Sequence, residues 1–182
     1  MSGYRRATTL LGVASAVALA ALVASCSPSK DAAEMNCPTT LPAPGADTIA
    51  VFHPGGQEPK DLLFAAQITS LNAECSRETP GVAIHAEIKF YAERANLLIP
   101  DGTLPYFVAL LDADQHVLAE EAFDLKFAFL PAEYNRTLPA EKRTIHLPVH
   151  NRTDAKSFTV VVGFQLTPDQ LAFNRARTAN AP

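Results

Sequence analysis

Val82-Ala83-Ile84-His85-Ala86-Glu87-Ile88-Lys89-Phe90-Tyr91-Ala92 decides the fold class. Val82, Ile84, Ala86, Ile88, Phe90 and Ala92 fall on one face of an extended chain, and His85, Glu87, Lys89 and Tyr91 on the other. A period of two marks a strand with one face in a core and one in water. Outward along the chain the pattern recurs over 117–129. There Val117, Ala119, Phe123, Leu125, Phe127 and Phe129 share a face on which Glu121 intrudes, while His116, Glu120, Asp124 and Lys126 take the other. Phe158, Val160, Val162, Phe164 and Leu166 alternate in the same way, and Ile145, Leu147 and Val149 form a shorter example. Residues 106–111 are apolar on both faces, which predicts a central strand. Residues 48–53 and 62–71 complete the set, with a bulge expected after Ile68, where the alternation loses its face.

Pro54-Gly55-Gly56, Thr79-Pro80-Gly81, Pro100-Asp101-Gly102 and Asp112-Ala113-Asp114 separate these runs as turns, the last as a tight hairpin. About seven short strands with no helix between them predict an all-β fold: an antiparallel β-sandwich of immunoglobulin or fibronectin type with Greek-key connections. The Trp and inter-sheet Cys pair of antibody domains are absent, so that name is architectural. One helix is predicted after the strands, over 168–177. Thr167 is its N-cap, Pro168 its first residue, Asp169 an acid near the dipole and Gln170 the third position of a capping box.

The N-terminus carries an address. Arg5 and Arg6 precede a small, apolar run over 7–24, the composition of a signal peptide. Its length is close to the lower bound for a membrane-spanning helix, so a retained anchor is the rival reading. Val23-Ala24-Ser25-Cys26 closes the run and resembles a bacterial lipobox. That resemblance covers the first 26 residues and implies cleavage before Cys26, lipidation on its sulfur and attachment to a membrane. Ser27, where an Asp would favour inner-membrane retention, implies an outer-membrane lipoprotein facing the periplasm. Residues 1–25 are thus a signal peptide, 26–46 a lipidated tether rich in Pro, Ala and Ser, and 47–182 the sandwich domain with its helix. Arg5-Arg6 lacks the bulky residues that usually follow a twin-arginine pair.

With lipid on Cys26, two of the three cysteines remain in an oxidising compartment. Even parity then argues for a Cys37–Cys75 disulfide. A metal site would want more ligands at short spacing, and a catalytic thiol a base partner.

Composition excludes several functions. The net charge of −4 and the lack of a Lys/Arg-rich block argue against nucleic acid. No Gly-x-Ser-x-Gly, His-Glu-x-x-His or phosphate-binding glycine loop occurs. His146 and His150 share a face of an extended stretch, but roughly 13 Å of strand separates them, too far to grip one ion. Asp112 and Asp114 read as turn formers before calcium ligands. Glu121 is expected buried and paired. The expectation is therefore a protein without catalysis, cofactor or metal.

Two segments are candidates for partner contact: Tyr134, Arg136, Lys142 and Arg143 in a loop over 131–143, and Phe173 and Arg175 on the terminal helix. Aromatic and Arg side chains suit protein interfaces. The run from Gly163 to Arg175, Gly-Phe-Gln-Leu-Thr-Pro-Asp-Gln-Leu-Ala-Phe-Asn-Arg, resembles the C-terminal signature of a group of proteobacterial envelope lipoproteins. The resemblance extends to Cys37-Pro38, Cys75 and Pro105-Tyr106-Phe107-Val108-Ala109. No activity is established for that group, so the resemblance implies location and not mechanism. The expected role is a lipid-anchored accessory or assembly subunit that presents a surface to an envelope protein. The alternative is a periplasmic ligand- or polysaccharide-binding module, against which the absence of Trp counts.

Overall fold

The computed structural model describes residues 37–56, 58–147 and 154–179. Its strands are β1 (Thr39–Pro42), β2 (Thr48–Phe52), β3 (Leu62–Glu78), β4 (Gly81–Arg94), β5 (Asp101–Leu111), β6 (Val117–Ala128), β7 (Asn135–Thr137), β8 (Glu141–Leu147) and β9 (Thr159–Phe164), followed by helix α1 (Pro168–Ala179). They form two sheets packed face to face. The first has the order β1-β9-β5-β6. In the second, β2-β3-β4 form a meander, and the far edge of β4 is shared by β7 and β8.

The alternation in β4 sets the inner face of the second sheet. Val82, Ile84, Ala86, Ile88, Phe90 and Ala92 are all buried, as the period of two predicts. β3 pairs with β4 over its whole length, with a register shift between Ile68 and Ser70 where the sequence pattern breaks. Gly81 opens β4 with φ +111°, a conformation that only glycine takes without strain. From β4 the chain crosses to β5 in the other sheet, forms the β5–β6 hairpin, returns to β7 and β8 beside β4, and crosses again to β9 beside β5. This is a Greek key, and β3, β4 and β8 against β5 and β9 take the places of A, B and E against C and F in an immunoglobulin-type sandwich. β1 fills the place beside β9, running parallel to it.

Between the sheets the rings of Phe90, Tyr106 and Phe164 meet, with Phe90 centred 5.2 Å from Tyr106 and 5.7 Å from Phe164. Gly102 lies where the Phe64 and Phe127 rings meet edge to face, and a Cβ there would fall 2.7 Å from the Phe127 ring and 2.8 Å from that of Phe64. Gly102→Ala is expected to cost about 1–3 kcal/mol through this overpacking. Thermal denaturation checks it, and an unchanged midpoint would mean that the rings swing aside freely.

Several features differ from the sequence reading. β3 runs on to Glu78, past the 62–71 expected, because β4 pairs with it as far as Gly81. β1 lies inside the stretch read as tether, because the edge of β9 supplies the hydrogen bonds that four residues among prolines cannot provide alone. The stretch read as one loop over 131–143 contains β7 and the start of β8. The first half of β6 is exposed on both faces, including Val117, Ala119 and Glu121, because an open cleft separates it from β8 of the opposite sheet; Glu121 is exposed and makes no ion pair among the described residues. Helix α1 starts as predicted. The Thr167 Oγ1 accepts from the Gln170 N–H at 3.3 Å, and the Gln170 side chain accepts from the Thr167 N–H at 2.9 Å. Gln170 and Asn174 then donate to the carbonyls of Ala50 and Thr48, so α1 covers the outer edge of β2. No helix among the described residues is long and apolar enough to cross a membrane. A Cys37–Cys75 disulfide ties the chain just before β1 to β3 in the opposite sheet, with the two Cα atoms 5.9 Å apart.

Candidate interaction surface

Arg94 continues the inner row of β4 by one step, which puts a charge at the end of the core, where it is 4% exposed. The guanidinium is satisfied by backbone. Its Nε donates to the Glu133 carbonyl at 2.7 Å, Nη1 to Ile99 at 2.6 Å and Nη2 to Leu130 at 3.0 Å, while its plane lies 4.9 Å over the Phe129 ring. A buried charge persists only when paired or hydrogen-bonded in this way. The bonds gather two loops, 95–100 and 129–134, onto one end of the sandwich. On those loops Leu97, Leu98, Leu130 and Tyr134 point to solvent, Leu98 with 87% of its surface exposed. Four large apolar side chains on adjoining loops are the kind of patch that soluble surfaces rarely leave uncovered. Glu93 and Asp101 flank it as exposed acids.

This end is far from Thr39, where β1 begins. Thr39 is level with Thr159, and Thr159 with Leu111, at the opposite end of β5 from Asp101. Ten steps of strand make that roughly 33 Å.

The sequence-predicted contact residues separate in space. Tyr134 belongs to the apolar end. Arg136, on β7, is half-buried and donates to the Ala128 carbonyl. Lys142 and Arg143 are adjacent on β8 and face opposite ways. Lys142 lies on the outer face, 4.0 Å from Glu87. Arg143 turns inward over the Phe123 ring at 4.1 Å and pairs with Glu141, which also accepts from the Tyr106 hydroxyl at 3.1 Å. Burial pushes the Tyr106 phenol up to about 12, with Arg143 pulling against it and Glu141 adding to it, so the hydroxyl stays a donor at neutral pH. This cluster closes the core beside a cleft of about 190 Å³ between β6 and β8. Phe173 packs edge-on against Phe52 at 5.5 Å, and Arg175 is exposed on α1 beyond it. A groove of about 520 Å³ runs between α1 and the turn after β2.

Arg94 and the three leucines are absent from the sequence-based candidates. The signal for Arg94 was a charge in the buried parity of β4, and for the leucines an apolar run, Leu97-Leu98-Ile99, just past the end of a strand.

The reactive side chains are arranged as surface structure. Ser76 Oγ is 2.8 Å from His85 Nε2, and His85 Nδ1 is 3.2 Å from Thr144 Oγ1. They sit on the exposed outer face of β3, β4 and β8. A nucleophile pair needs oxyanion donors and an orienting carboxylate, and here the third member is a hydroxyl. Asp112 accepts from the N–H groups of Asp114 and His116, both at 2.9 Å, which makes it the turn former the sequence predicted. The His116 N–H, first among these, holds the Asp112 carboxyl below its ordinary value. His146 pairs with Glu78 at 2.7 Å, while His150 and the lipobox with Cys26 lie outside the described residues.

Comparison with known protein families, with curated protein sequences and with solved structures finds no match to this chain.

Proposed function

We propose that this protein is a non-catalytic envelope lipoprotein, held to the outer membrane by lipid on Cys26 and presenting to another envelope protein the end of its sandwich opposite the start of β1. One observation carries the reading: Leu97, Leu98, Leu130 and Tyr134 are exposed together on two loops that a buried arginine holds in place. A preorganised apolar patch loses little entropy on binding. Its position supports a partner over the anchoring membrane, because the chain enters the domain at the other end. Glu93 and Asp101 at its margin favour a partner with an apolar groove and a basic rim.

The test is crosslinking in intact cells, followed by detergent capture of the lipidated full-length chain and mass spectrometry. Leu98→Asp and Leu130→Asp alter exposed side chains and leave the thermal midpoint unchanged, and each reduces capture of the dominant envelope partner by about tenfold or more. Equal capture by wild type and both variants would remove this surface from the interface. The absence of any reproducible partner would defeat the reading and favour a ligand- or polysaccharide-binding module.

A further inference from the structure

We propose that two copies of this chain pair through the free edge of β6, joining their β1-β9-β5-β6 sheets into one continuous antiparallel sheet. The observation is a long strand edge that no strand or helix among the described residues covers. β2 has its outer edge covered by α1, β1 has four residues and β8 has seven. β6 runs for 12 residues, pairs among the described residues with β5 alone, and is exposed on both faces from Val117 to Ala122. Such an edge offers a row of unpaired N–H and C=O groups and acts as a template for another strand.

Charge selects the occupant. A two-fold axis perpendicular to the sheet places like-facing residues opposite each other, so the axis passes through a single residue of β6. Through Ala122 it would oppose Glu120 to Asp124. Through Glu121 or Asp124 it would oppose a carboxylate to its own copy. Through Phe123 it opposes Glu120 to Lys126 twice, Ala122 to Asp124 twice and Ala119 to Phe127 twice, and it aligns residues 118–128 of both copies, up to the Ala128 carbonyl that Arg136 already engages. An axis through Leu125 also matches Asp124 to Lys126 but overlaps only 122–128. The Phe123 register therefore combines opposite charge with the longest ladder, and it sets the small side chains of Ala119 and Ala122 against larger ones. Glu121, an inward charge that would discourage casual pairing, faces Leu125 and stays four residues along the strand from its copy. Cys37 lies just before β1, at the opposite edge of this sheet, so pairing is compatible with anchoring there.

The experiment is a charge swap on the full chain in detergent, read by sedimentation. Wild type sediments as a dimer. Lys126→Glu and Glu120→Lys each weaken it by about tenfold, because every favourable cross-strand pair becomes a like-charge pair. The double variant carrying both changes recovers the dimer. These side chains are exposed, so the folds stay intact. A monomeric wild type, or a dimer indifferent to both single reversals, overturns the proposal. The register has its own readout: copies with Ala122→Cys co-expressed with copies carrying Asp124→Cys form a disulfide-linked pair. A persistent dimer without that link overturns the Phe123 register.

Discussion

Replacing Arg94 with methionine lowers the stability of the domain by about 3–5 kcal/mol, since it removes three hydrogen bonds to a charged group, each of which contributes about 1.5–3 kcal/mol. For a domain of this size that lowers the thermal midpoint by about 10–15 °C. The cost does not come from the lost side-chain volume, since methionine fills most of it. It comes from the carbonyls of Ile99, Leu130 and Glu133, which turn inward to accept from the guanidinium and would be left without a donor. Each unsatisfied buried acceptor costs about 1–3 kcal/mol, and local relaxation toward water keeps the total below their sum. Lysine keeps the charge but not the planar fork, so Arg94→Lys recovers only part of the loss. Besides the Phe129 N–H bond to the Pro100 carbonyl, this guanidinium ties the two loops together, so Arg94→Met also reduces capture of the partner, although Arg94 itself is buried. Denaturant unfolding of the wild type and both variants measures the ladder. A methionine variant within 1 kcal/mol of wild type would show that the loops hold themselves.

The sandwich was legible because its strands obey a local rule. The inward row of β4, the Ile68 bulge, the Asp112 hairpin and the Thr167 capping box are each determined by residues within a few positions of one another, and each appears in the structure. What escaped the sequence depends on distant chain. β1 is a strand only because β9 lies beside it, and its four residues between prolines carry no pattern of their own. Val117 and Ala119 have the right parity for burial but are exposed, Ala119 at a cleft that β8 does not fill, and periodicity reports phase and not coverage. The stretch 131–143 read as loop because β7 has three residues and β8 begins with Glu-Lys-Arg, charged on both faces. Arg143 is turned inward by its pairing with Glu141 and its stacking on Phe123, contacts that neighbouring sequence does not announce. The interaction surface was half legible. Tyr134 was named, but the leucines beside it come from a second loop, and Arg94, which unites the two loops, bonds a carbonyl 39 positions away.

Removing the disulfide, by Cys37→Ser or Cys75→Ser, costs about 3–4 kcal/mol. The bridge closes a separation of 38 residues. The entropy lost by the unfolded chain on closing such a loop is worth roughly 4 kcal/mol at 25 °C. The structure says where the loss begins. Among the described residues β1 pairs with β9 alone and for four residues only, and the covalent tie to β3 holds its entry in place. Hydrogen exchange is therefore expected to show β1 losing protection before β4 or β5, with reductant reproducing the effect in the wild type. A loss below 1 kcal/mol, or uniform loss of protection across all strands, would contradict this. The bridge and Arg94 sit at opposite ends of the sandwich and share no partner, so their effects add. The double variant then loses about 6–9 kcal/mol, comparable to the whole stability of an ordinary domain, and should be largely unfolded at 37 °C even though each single variant folds.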